Sequence, residues 1–142
     1  MSKNVTMKTA KRALASIWFI IGGILFLVVF LQTLLGHYGD KVNEAWSWLI
    51  PMIFPTLSVI IGVFVGDSLG KNDTSLLVDS FIFKLTIALS VVYLLAISLV
   101  IFINPLTEFD AITMMKMSNF GLGPLQGIVI AAMAIFFVKK EK

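Results

Sequence analysis

The residues able to do chemistry in this chain are few, and they sit outside its apolar stretches. His37 is the single histidine and cysteine is absent, so thiolate metal sites, cysteine nucleophiles and His-pair metal sites are excluded. An imidazole beside Tyr38 in a polar turn could sense pH, because it titrates near neutrality; it could equally be a solvated loop residue. Four acids, Asp40, Glu44, Glu108 and Asp110, fall in two segments predicted to share a side with His37. They could draw cations to a mouth or form a hydrated loop surface. No glycine-rich loop with its lysine matches a phosphate cradle. The expectation is a non-enzymatic chain with no catalytic residues, no cofactor and no metal.

The long apolar runs carry no central Asp, Glu, Lys, Arg or His. Proton-coupled transporters keep such a residue at depth, since relaying a proton requires one. A proton-coupled drug exporter of the small four-helix type would need a glutamate in the middle of its first helix, where this chain reads IWFIIGGILFL. Neutral polar residues remain: Gln32, Thr56, Thr86, Ser90, Tyr93 and Gln126. Thr86, Ser90 and Tyr93 fall at i, i+4 and i+7 and so share one helix face. In hydrocarbon each needs a partner, usually on a neighbouring helix. They either glue helices together or line a narrow hydrophilic path, and both readings require them to face inward.

The elements that position these residues are legible from composition. Hydrophobic residues make up 58% of the 142 and charged residues 13%, where soluble chains hold about 25% charged, and the mean hydropathy is +0.98. About 20 apolar residues span a bilayer core. Four such runs predict an all-α polytopic membrane protein, a single domain with transmembrane helices at about 14–35, 46–66, 81–103 and 120–138. The basic start resembles a signal peptide, but the apolar run after it is too long for one and lacks an A-x-A-like exit. It reads as a first helix that stays. Trp18, Trp46 and Trp48 are read as anchors at the membrane interface. Pro51 and Pro55 open the second helix, and Pro55 should free a backbone carbonyl one turn earlier and kink it. Gly36 and Gly39 signal a turn. Leu76–Val78 could form a short amphipathic turn, and Ile112–Met117 a short helix lying along the interface.

Nine of the eleven lysines and arginines lie in the two tails and the middle connection. By the positive-inside rule this places both termini in the cytoplasm. The net charge of +3 is thus a topology signal, and no direct nucleic-acid contact is expected. Gly123, Gly127 and Ala131 repeat every four residues, as do Gly62 and Gly66, giving smooth faces for close helix packing, within the chain or between copies. A bundle this small has little room for an internal pathway, so the partner expected is another copy, as a homo-oligomer, alongside the lipid bilayer itself.

In size and topology the chain resembles the four-helix membrane subunits of bacterial anti-phage systems, such as Kiwa-type ones; the likeness is one of architecture. It implies an oligomeric inner-membrane component that senses or alters the membrane with a cytoplasmic protein partner; the charged groups of the cytoplasmic surfaces, Lys3, Lys8 and Lys71 among them, could steer such a partner. The alternative is a small oligomeric channel or facilitator for ions or solutes. The membrane expected is the bacterial inner membrane. The ending Lys139-Lys140-Glu141-Lys142 also resembles a dilysine retrieval signal, which would place the chain in the endoplasmic reticulum.

Overall fold

Apolar side chains cover the outside of this molecule as well as its centre. Phe19, Ile24, Leu27, Leu31, Val59, Val92, Leu95, Leu99 and Ile128 are all exposed. Four helices are long and apolar enough to cross a membrane, and a bilayer is the solvent that satisfies such a surface. The computed structural model describes residues 4–69 and 76–137. The fold is all-α and polytopic, as the sequence predicts. Lys3, Lys71 and the Lys139–Lys142 ending lie outside the described residues.

The helices are α1 (Met7–Leu34), α2 (Val42–Leu69), α3 (Ser80–Ile103) and α4 (Ala111–Phe137). At about 1.5 Å per residue they run to roughly 36–42 Å, longer than a hydrocarbon core of about 30 Å. α1 and α3 begin at side-chain caps. Thr6 caps α1 by accepting from the Thr9 amide, and Asp79 caps α3 by accepting from the Phe81 amide at 2.7 Å. At the far end of α1 the His37 amide reaches back to Gln32 O and that of Gly36 to Thr33 O. Gly36 sits at φ +75°, the left-handed cap conformation that only glycine adopts without strain. Residues 35–41 and 104–110 connect the helices at one end, called the hairpin end here. The starts of α1 and α3 and the ends of α2 and α4 lie at the other, the terminal end.

Neighbours around the bundle run α1, α2, α4, α3, since α1 packs on α2 and α3 while α4 packs on α3 and α2. α2 and α3, consecutive in the sequence, therefore stand on a diagonal of the bundle. At the terminal end Leu77–Val78 forms a short strand, β2, antiparallel to β1 (Val5–Thr6), with Val5 opposite Val78. This clasp replaces the amphipathic turn expected at Leu76–Val78.

The interior is lined by one stripe from each helix. On α1 it runs Ala10, Leu14, Trp18, Gly22, Leu25 and Val29; on α3 it includes Thr86, Ser90, Tyr93, Leu94, Ile97 and Ile101. On α4 the buried positions Ile112, Met115, Leu122, Val129, Met133 and Phe136 keep heptad-like spacing. The stripe explains a second difference from the sequence reading. Ile112–Met117 is no separate interfacial helix but the first turns of α4. Asp110 caps that helix by accepting from the Thr113 amide, and Ile112 and Met115 point into the core.

Candidate functional site

At the hairpin end the polar residues are paired across helices. Lys116 meets Glu44 at 2.7 Å and Lys41 meets Asp110 at 3.5 Å. Two of the four acids are therefore neutralised by lysines of the same end, which weakens any acidic mouth. Asp110 is held below the usual carboxylate range by its hydrogen bonds with Thr113 and then by the Lys41 charge. The tryptophans of α2 reach across to neighbours: Trp46 Nε1 donates to Thr33 Oγ1 of α1, and Trp48 Nε1 to Ser118 Oγ of α4, both at 3.1 Å. Trp48 is buried, so its indole is an interhelical contact as well as an end marker. Tyr38 folds back to donate to Gln32 Oε1, and burial pushes its pKa up to about 12. The exposed His37 ring stands edge-on to Tyr38, centroids 5.1 Å apart. Both line a shallow depression of about 390 Å³ with Asp40, Lys41 and Asp110.

The middle of the bundle is organised by the prolines of α2. Pro55 has no N–H to give the carbonyl of Pro51 four residues earlier. Gln126 of α4 supplies the missing donor, its Nε2 lying 2.7 Å from Pro51 O. One residue on, Tyr93 of α3 donates to Met52 O at 3.0 Å. Side chains of two other helices thus hold the proline segment. The Tyr93 ring packs on Trp18, centroids 5.9 Å apart. Trp18, read from the sequence as an interface anchor, lies about 16 Å along α1, which begins at Met7, and is fully enclosed by the bundle.

The remaining polar residues serve locally. Thr86 donates to Ile82 O in its own helix at 2.9 Å, and Ser90 to the Met133 sulfur at 3.8 Å. Thr56 is buried beside the proline segment, but neither its hydroxyl nor the Trp18 indole N–H has a hydrogen-bond partner. Thr86, Ser90 and Tyr93 do share the inward face of α3, as their spacing predicts. Each is met by a neighbouring group, and between them the interior is closed by Trp18, Leu94, Ile97 and Ile53.

The glycine faces point outward. Among the described residues, a Cβ at Gly62, Gly66, Gly123 or Gly127 would meet nothing within 4 Å, and Ala131 is exposed. Of the two uses left open by their spacing, packing within one chain is not realised among the described residues. Close approach falls instead to Gly22, where a Cβ would lie 3.2 Å from Ile53 Cγ2.

At the terminal end Lys11 binds Asp67 at 3.0 Å, joining the start of α1 to the end of α2. Sequence reasoning missed this pair, although two opposite charges at matching ends of an antiparallel hairpin were a signal for it. Lys8, Arg12 and Lys84 are exposed there. Among the described residues no group of His, Cys, Asp or Glu could hold a metal ion. Comparison with protein-family models, with curated proteins and with solved structures finds no match to this chain.

Proposed function

We propose that this chain is a non-enzymatic membrane component that works by assembling with further copies in the bilayer and engaging a cytoplasmic partner at its terminal end. The observation that carries this is how the polar groups of the spans are used. Gln126 and Tyr93 are committed to the proline segment of α2, and Ser90 and Thr86 to near neighbours. Gln126, Tyr93 and Ser90 act as interhelical glue and Thr86 is tied back to its own helix, so their donors are spent on the protein rather than offered to a solute. The small-residue faces of α2 and α4, by contrast, are left open on the outside, where a second copy could approach closely. The charge bias towards the terminal end supports a cytoplasmic position for it. A bacterial inner membrane, and an anti-phage system within it, is the setting that fits the architectural resemblance.

Planar-bilayer recording of the purified chain tests this reading against a channel. The expected result is no unitary conductance from the chain alone. Conductance that disappears when Ser90 and Gln126 are made apolar would overturn it in favour of an oligomeric channel. Single cysteines at Asn43 and Thr107 test the orientation, because the chain has none of its own. Both should label from outside intact cells.

A further inference from the structure

At the terminal end exposed apolar and cationic side chains are brought together by the clasp. The Met7 amide donates to Leu76 O at 2.8 Å, which sets Leu76 and Leu77, each about 60% exposed, against the start of α1 beside Lys8. Phe81, 68% exposed, follows directly from the same strand. Lys8 and Arg12 stand one turn apart on the exposed side of α1. Lys84 stands one turn beyond Phe81 on α3, the neighbour of α1. Among the described residues of this end, Asp67 is paired with Lys11 and Asp79 caps α3 by accepting from the Phe81 amide. The depth decides what can sit here. α1 and α3 begin at Met7 and Ser80 and are longer than a hydrocarbon core of about 30 Å, so their first turns, which carry Lys8, Arg12, Phe81 and Lys84, have length to spare for the headgroup region.

We infer that this composite surface binds anionic phospholipid headgroups. Lys8, Arg12 and Lys84 hold the phosphates, while Leu76, Leu77 and Phe81 sit among the glycerol and upper acyl segments. An acidic protein at the same cations would leave the apolar trio to be covered separately; a phospholipid satisfies both in one molecule. A cation close to an anionic membrane surface contributes roughly fivefold in affinity, so three contribute about a hundredfold.

The test uses the intact chain in nanodiscs of phosphatidylcholine with increasing phosphatidylglycerol, reading retained lipid by native mass spectrometry. The wild-type chain should retain phosphatidylglycerol preferentially, and the combined variant Lys8→Gln, Arg12→Gln, Lys84→Gln should lose most of that preference. Lys41→Gln with Lys116→Gln, at the hairpin end, should keep it. Equal retention of both lipids by the wild-type chain would overturn the inference, as would preference surviving in the triple variant or lost in the hairpin-end variant. If the triple variant does not fold, salt decides: screening at about 1 M should erode the wild-type preference, and a preference indifferent to salt would overturn the inference.

Discussion

Replacing Gln126 with Met should destabilise the bundle through one backbone carbonyl. Pro51 O lies about 14 Å along α2, below the tryptophans that mark its outer turns, and Pro55 cannot serve it. Gln126 Nε2, at 2.7 Å, is the donor that does. Met keeps the length and volume of the side chain, so packing changes little. The loss combines an interhelical hydrogen bond, about 0.6–1.7 kcal/mol in membranes, with part of the cost of leaving a carbonyl unpaired in apolar lipid, about 1–3 kcal/mol. A total of about 2 kcal/mol is expected, roughly thirtyfold in the unfolding equilibrium. Pro55→Ala supplies the local control, because that substitution restores a backbone N–H one turn from Pro51 O. In that background Gln126→Met should cost less than about 1 kcal/mol. The assay is a double-mutant cycle from reversible unfolding in mixed micelles. Additivity within about 0.5 kcal/mol would refute the assignment of Gln126 to the carbonyl that Pro55 leaves free.

Thr56→Val removes a buried hydroxyl that has no partner, so stability in the same assay should stay level or rise by up to about 1 kcal/mol; a clear loss would show that the hydroxyl is satisfied. Gly22→Leu should cost about 1–3 kcal/mol by driving α1 from Ile53. Gly127→Leu should leave the fold of one copy intact yet weaken association between copies, which crosslinking in lipid would detect. Tyr38 provides a pH test. Its pKa is raised from 10.0 to about 12 by burial, so its contribution is complete above pH 12 in the unfavourable sense only: below pH 10 both states hold the proton and nothing is gained or lost. As pH rises from 10 towards 12 the unfolded chain ionises first, which draws the equilibrium towards unfolding. Stability measured between pH 9 and 11.5 should therefore fall more steeply for the wild-type chain than for Tyr38→Phe.

Four helices, their apolar surfaces and the turn at Gly36 and Gly39 were legible in the residues alone. A bilayer supplies no hydrogen bonds, so a run of about 20 apolar residues must be a helix whatever its neighbours do. Capping is equally local, and Gly36 marks the end of α1 by its own backbone freedom. The inward face of α3 followed from the spacing of Thr86, Ser90 and Tyr93, because polar groups in hydrocarbon must seek partners.

Tertiary structure decided where polar residues could be absorbed into helix. Lys116 and Ser118 read as loop residues until Glu44 and Trp48, some seventy positions away in sequence, satisfy them; α4 then starts at Ala111. The fold brings Leu77–Val78 beside Val5–Thr6, a pairing that no local pattern encodes. Trp18 could have anchored at a membrane surface, but the start of α1 at Met7 and the Tyr93 ring draw it inside. Small residues at four-residue spacing allow close contact on any helix, and only packing selects which are used. Gly22 meets Ile53, whereas Gly123 and Gly127 are left facing outward because the core stripe of α4 runs through Leu122, Val129 and Met133 on the other side.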